Sequence, residues 1–264
     1  MRTLGLVGKS LSHSFSQQYF TEKFFQEKIY DTEYQLFSLI NIEEIKTLLK
    51  HPTLLGFNVT IPYKSEIIPF LDVLDTVAQE VEAVNCVVKQ QGKWIGYNTD
   101  VMGFEETIRK GERAKGRKDE RRKGEEEKRR KEDFALVLGS GGASKSVCYV
   151  LKKKNIPFQV VSRKNTVNTI TYNEVTEALI YHATLIINTT PIGMFPNVDE
   201  IPQIPYTALD SSHILIDLIY NPEETLFLKE GKKRGALIFN GLTMFKTQAE
   251  ASWKLFNSVR PNTF

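Results

Sequence analysis

The sequence predicts an α/β protein of two α/β domains, on three observations. Strands and helices alternate through the first hundred residues, and a second alternation of short apolar strands follows a charged stretch. That second run opens on a glycine-rich strand-to-helix turn, "VLGSGGASK", at residues 137–145.

In the first half, "TLGLVG" reads as a strand and "SQQYFTEKFFQEK" as a helix with apolar residues at Tyr19, Phe20, Phe24 and Phe25. "EYQLFSL" follows as a strand, "IEEIKTLLK" as a helix and "LLGFNVT" as a strand, which completes a βαβαβ series. "VNCVVKQQGKWIGYN" then gives two strands around a Gln-Gly turn, so an antiparallel pair sits on a mostly parallel sheet. "NTDVMGFEETIRK" reads as a helix joining the halves. In the second half "FALVLG", "FQVVS", "LIINTT", "ILIDLI" and "ALIFNG" are short apolar strands, most with helical segments between them, the pattern of a doubly wound sheet.

The 264 residues, 41% of them hydrophobic, are enough for two ordinary domains with a sizeable core. No apolar run reaches the ~18 residues of a membrane span, and "MRTLGLVGKS" is too soon interrupted for a signal peptide, so the expected compartment is the cytoplasm. Cys86 and Cys148 lie in apolar segments, which suits reduced packing thiols, and His13, His51, His182 and His213 show no metal-ligand spacing. The net charge of +3 is local in origin: Arg109 to Asp133 holds 13 Lys or Arg against 8 Asp or Glu, leaving 22 basic and 24 acidic residues elsewhere. Such mixed-sign, nearly aliphatic-free sequence reads as a solvated helix extension or a disordered loop. With no aromatic interleaving and no basic groove, neither a nucleic-acid nor a membrane partner is expected.

Gly139 and Gly141 stand where a dinucleotide turn needs a tight bend and close backbone approach to a pyrophosphate, although Ser144 takes the place of the last glycine. An ordinary Gly-rich βα turn is the plain alternative. The next strand ends in Ser162, Arg163 and Lys164, where an NAD site would place an acid on the ribose hydroxyl; two cations there match a 2′-phosphate. In the first half, hydroxyls, amides, one ammonium and one carboxylate collect at strand ends, a set that suits a small polyhydroxylated acid. Lys64 and Asp100 are the chemically interesting pair, because an ammonium beside a carboxylate can pass a proton to and from a substrate oxygen. By composition alone an exposed salt bridge is the better reading.

"SHSFS", "NVTIPYK", "AVN", "GYNTD", "LGSGGAS", "SRK", "NTTPIGM", "DLIYNP" and "GLTMFKTQA", in this order and spacing, resemble the shikimate dehydrogenase family over nearly the whole chain outside the charged run. The resemblance implies a substrate-binding domain over 1–101, joined by a C-terminal helix over 242–264 that packs back on it. It also implies a Rossmann-like NADP-binding domain over 102–241, with the insert near 110–132. The implied reaction is NADP-dependent interconversion of 3-dehydroshikimate and shikimate, without a metal, by a monomer or homodimer.

Carried over by position, Ser14 and Ser16 hold the substrate carboxylate, and Thr60, Lys64, Asn85, Asp100 and Gln248 surround the ring hydroxyls, with Lys64 and Asp100 catalytic and Tyr220 closing over the substrate. Gly139, Gly141, Gly142, Ala143 and Ser144 hold the pyrophosphate, and Ser162, Arg163 and Lys164 the adenosine phosphate. Asn188 to Met194, Thr190 included, and Gly241 form the nicotinamide end. Two departures stand out: Gln17 replaces a usual proline, which loosens the helix start, and Val167 replaces a second arginine found in some members. His13 reads as a loop residue. A broader quinate/shikimate dehydrogenase and a non-catalytic sensor on the same fold are the rivals, and a sensor should lack the Lys64 and Asp100 pair.

Overall fold

The computed structural model describes residues 1–11, 14–121 and 133–258, with backbone alone for 117–121. The chain divides into two compact units, Met1–Asp100 with Gln248–Phe264, and Val101–Thr247. The strands are β1 (Arg2–Gly8), β2 (Thr32–Ser38), β3 (Leu54–Val59), β4 (Val73–Leu74), β5 (Cys86–Gln90), β6 (Lys93–Tyr97), β7 (Ala135–Leu138), β8 (Phe158–Ser162), β9 (Thr169–Thr171), β10 (Leu185–Asn188), β11 (Ile214–Asp217) and β12 (Leu237–Phe239). The helices are α1 (Phe15–Gln26), α2 (Ile45–Leu48), α3 (Thr76–Val81), α4 (Asp100–Arg121), α5 (Gly142–Lys153), α6 (Glu177–His182), α7 (Leu226–Lys233) and α8 (Leu242–Ser258). Among the described residues no helix is long and apolar enough to cross a membrane.

The first unit's sheet runs in the order β2-β1-β3-β5-β6-β4, with β1 parallel to β2 and β3, and β5 antiparallel to β3 and β6. Its strands are apolar on both faces, so alternate residues feed two cores. Val7, Phe57, Val59, Val87 and Trp94 pack on one side with Ile45, Ile67 and Ala78. Leu4, Leu6, Cys86 and Val88 pack on the other with Phe20 and Phe24 of α1 and Ala249, Trp253 and Phe256 of α8. Phe20 stacks on Tyr34 with ring centroids 4.5 Å apart. Phe25, expected on the same apolar side, is 79% exposed. Five residues on from Phe20, at about 100° each, it has turned to the opposite face of the helix.

The Gln-Gly turn joins β5 to β6 as expected, with Gln91 at φ 51° and Gly92 at φ 80°, the two positive values that a tight hairpin of this twist needs. The expected helix over "IEEIKTLLK" is broken into a 3₁₀ turn at Ile42–Glu44 and the single α turn of α2. Asn41 caps this segment by accepting from the Glu43 N–H at 3.0 Å. The sequence reading missed β4, β9 and α3, whose N-cap Asp75 accepts from Ala78 N at 2.9 Å.

The second unit's sheet runs β12-β11-β10-β7-β8-β9 and is parallel throughout. Counted from β7 this is the doubly wound order 3-2-1-4-5-6, and the winding reverses between β7 and β10, where such sheets open a crevice at their strand ends. In α4, Val101, Phe104, Ile108 and Gly111 form a buried stripe at helical spacing. The charged run therefore begins as an extension of this helix through Arg121, while 122–132 lie outside the described residues.

Candidate active site

In the first unit the Lys64 Nζ donates to Asp100 Oδ2 at 2.6 Å, with the Lys64 side chain 15% exposed and the Asp100 side chain 7%. Sequence-distant elements deliver the pair: Lys64 follows the end of β3, and Asp100 is the first residue of α4, where the helix's positive end favours a carboxylate. Asn85 holds the carboxylate from the other side, its Nδ2 donating to Asp100 Oδ1 and to Thr99 Oγ1, each at 2.9 Å. Gln248 Oε1 lies 3.3 Å from the same nitrogen. The Thr99 N–H donates to Asn85 Oδ1 at 2.7 Å, which fixes the amide's orientation. Among the described residues Asp100 is the one acceptor on the Lys64 ammonium, which leaves two of its three protons for a ligand oxygen.

Behind this group lies a layer to which the sequence reading gave no role. Tyr34 OH donates to Asn58 Oδ1 at 2.9 Å, and Asn58 Nδ2 donates to Asn85 O at 3.1 Å and Ser252 Oγ at 2.8 Å. Two signals were available: Asn58 is a lone amide in an apolar strand, and Ser252 lies one turn beyond Gln248 on α8. Asn98 Nδ2 donates to Ala83 O at 2.8 Å and closes the hairpin end.

Ser14 is the N-cap of α1 yet makes no cap hydrogen bond, and its Oγ is buried without a partner among the described residues. An orphaned hydroxyl at a helix start suits an anionic ligand group. Ser16 is half-buried in the first turn, and Thr60 is half-buried at the end of β3. Gln17, in the first turn of the helix, donates from its Nε2 to Tyr34 O of β2 at 3.3 Å. His13 lies outside the described residues.

In the second unit Gly139 sits at φ +107°, and a Cβ there would lie 2.6 Å from Thr189 Oγ1, so backbone conformation and space both require glycine. Gly141 is the N-cap of α5 with no side chain to cover its first amides, Gly142 opens the helix, and Ala143 is half-buried. Ser144 is 2% exposed with its Oγ 3.8 Å from Cys148 Sγ, so it fills the packing position of the third glycine and offers an anion its backbone. Ser162 Oγ lies 3.0 Å from Ser140 Oγ. Arg163 and Lys164 are exposed, their side chains without a hydrogen bond or ion pair among the described residues. Val167 beside them is fully exposed. One glycine that must be glycine, uncovered amides at the start of α5 and two unengaged cations at the next strand end are a donor set that fits a phosphorylated dinucleotide.

At the end of β10, Asn188 Oδ1 accepts from Thr190 N at 3.1 Å and Thr190 Oγ1 at 2.6 Å, which folds the loop leading to the half-exposed Met194. Tyr220 packs on Phe245 with ring centroids 5.0 Å apart, and burial pushes its phenol up to about 12. A Cβ on Gly241 would lie 2.0 Å from Leu218 O, so the 218–220 turn passes directly against it.

A dinucleotide turn on a sheet of this order, together with a half-buried ammonium–carboxylate pair, marks the class of α/β dehydrogenases that use a nicotinamide dinucleotide. The family model for the shikimate dehydrogenase substrate binding domain matches residues 6–87. A shikimate dehydrogenase (NADP(+)) of Methanococcus aeolicus is 34% identical over 277 residues, 99% of this chain and 94% of that one. The crystal structure of shikimate dehydrogenase 1 from Peptoclostridium difficile superposes with a TM-score of 0.79 at 31% identity, covering 100% of this chain and 94% of that one. A quinate dehydrogenase from Corynebacterium glutamicum in complex with NAD reaches 0.80 at 25% identity over 99% and 95% of the chains. The chain belongs to the shikimate dehydrogenase family.

Proposed function

We infer that this protein catalyses the NADP-dependent, reversible reduction of 3-dehydroshikimate to shikimate in aromatic amino-acid biosynthesis. The observation that carries the reading is the 2.6 Å contact of Lys64 with Asp100, held in a buried amide network rather than in solvent. We assign the substrate to the first unit, with Ser14 and Ser16 on its carboxylate and Thr60, Asn85 and Gln248 around its hydroxyls. NADP goes to the second, with its pyrophosphate on residues 139–144, its 2′-phosphate on Ser162, Arg163 and Lys164, and its nicotinamide end near Thr190, Met194 and Gly241. Tyr220 closes over the substrate. The assembly is a monomer or homodimer in the cytoplasm.

NADP, when bound, would supply the hydride to the carbonyl carbon. The Lys64 ammonium gives its proton to the carbonyl oxygen as the π electrons move onto it. Asp100 aims that ammonium and accepts a hydrogen bond from a neighbouring substrate hydroxyl. In the oxidative direction Lys64, as the neutral amine, removes the hydroxyl proton. Positioned acid–base groups contribute about 10²–10⁴-fold, so Lys64→Ala is expected to lower kcat by that order while NADP binding stays nearly intact. A variant that raises only the KM for shikimate and keeps kcat makes Lys64 a binding residue and contradicts the assignment.

The quinate dehydrogenase neighbour gives the rival reading a specific footing, since the fold does not separate the two. The basic strand end favours NADP over NAD and with it the biosynthetic reaction.

A further inference from the structure

Asp217, three residues before Tyr220, takes no part in the reading above. It is the last residue of β11, fully buried, and pairs in register with Asn188, the last residue of β10. Its Oδ1 accepts from Asn188 Nδ2 at 3.1 Å and from the Ile219 N–H at 3.0 Å. Its Oδ2 accepts from Thr225 Oγ1 at 2.6 Å, and Thr225 in turn is the N-cap of α7.

The consequence runs through the Asn188 amide. Oδ1 is held as an acceptor by the Ile219 N–H, so Asn188 presents its NH₂ to Asp217 and its oxygen to the following loop. That oxygen receives both donors of Thr190, and the Ile192 N–H donates to Thr190 Oγ1 at 3.2 Å. On its other side Asp217 pins Ile219, whose carbonyl accepts from the Gly241 N–H at 2.9 Å. One buried carboxyl therefore roots the two segments, 189–194 and 218–220, that leave adjacent strands toward the assigned nicotinamide end. Burial is costly to such a group and pushes its pKa up to about 7, an expense that filling space does not require.

We propose that Asp217 is a positioning residue for the nicotinamide half of the cofactor: it orients the Asn188 amide and thereby sets the Thr190–Met194 loop and the turn against Gly241. The proposal rests on the NADP reading above.

The test compares binding of NADP⁺ with binding of 2′,5′-ADP, which carries the adenosine and 2′-phosphate but no nicotinamide, in wild type, Asp217→Ala, Asp217→Asn and Thr190→Val. Losing a buried acceptor should weaken NADP⁺ binding by about tenfold or more in Asp217→Ala, with kcat also lowered. Binding of 2′,5′-ADP should hold within about twofold, since it lacks the nicotinamide half that this loop is assigned to. Asp217→Asn keeps the Oδ1 acceptor and can donate to the Thr225 hydroxyl, so its NADP⁺ affinity should stay within about threefold of wild type. Thr190→Val cuts the same relay at a half-buried residue and should show the Asp217→Ala split. Equal weakening of both ligands in Asp217→Ala makes the residue merely structural and overturns the proposal, as does unchanged NADP⁺ binding and kcat. If Asp217→Ala does not fold, unchanged NADP⁺ affinity in Thr190→Val overturns it instead. A wild type that binds no NADP⁺ overturns the cofactor reading and the proposal together, whereas normal NADP⁺ turnover in both wild type and Asp217→Ala overturns the proposal alone.

Discussion

Burial is what distinguishes Lys64 and Asp100, the proposed proton-transfer pair, from an ordinary surface salt bridge. Exposed ion pairs such as Arg2–Asp31, 3.2 Å apart, are screened and contribute about 0–1 kcal/mol, whereas the Asp100 carboxylate is buried and accepts from the Asn85 amide as well as from the Lys64 ammonium. Asp217 is the contrasting carboxyl, with three hydrogen-bond donors and no cation paired to it among the described residues, and burial raises it from 3.8 to about 7 against the pull of Thr225, Ile219 and Asn188. The folded state then holds the Asp217 proton to higher pH than the unfolded chain does. The stability carried by that proton is whole below pH 3.8 and is lost as pH rises through about 7. Asp217→Asn does not titrate, so the Tm of wild type minus that of the variant should fall between these pH values and level off above them. A difference that grows with pH contradicts the buried, raised carboxyl.

Elements differ in how much of them the sequence disclosed. The Gln91–Gly92 hairpin, the paired parallel strands and α5 were legible because each spans several residues of clear period or carries a turn residue of fixed geometry. The short β4 and β9 and the six-residue α3 offered no period to read, and "IEEIKTLLK" broke where the Asn41 cap set the first turn. The site divides the same way. Its strand-end residues fall in short motifs, but Tyr34, Asn58 and Ser252 join them through tertiary contacts, Asn58 and Ser252 across 194 positions, which no local pattern carries. The β7–α5 turn is the element most sensitive to one change: Gly139→Ala sets a Cβ 2.6 Å from Thr189 Oγ1 at φ +107°. It should cost about 1–3 kcal/mol of stability and raise the KM for NADP by about tenfold or more, with little change in the KM for shikimate. An unchanged KM for NADP would show that the dinucleotide does not use this turn.

At the scale of the molecule, the proposed function gives each of the two units one half of the chemistry, and the net charge of the chain says little about either. The excess of cations lies in the run after the buried stripe of α4, which ends at Gly111, so residues 117–131 have no apolar group to give a core except the stems of their charged side chains. Replacing 117–131 by a short Gly/Ser linker should leave kcat within a factor of about three, because closing a flexible loop of similar length costs little. A large loss of activity with an unchanged Tm would mean that this run reaches a substrate or partner. The central claim, a dehydrogenase selective for shikimate and NADP, is tested most directly by mixing the protein with shikimate or quinate and with NADP⁺ or NAD⁺, and following absorbance of the reduced nicotinamide. The account predicts rapid reduction with shikimate and NADP⁺ and far lower kcat/KM for NAD⁺, because Arg163 and Lys164 stand where an acid for the ribose hydroxyl would be. Equal or better turnover of quinate with NAD⁺, or no reduction with either acid, would contradict it.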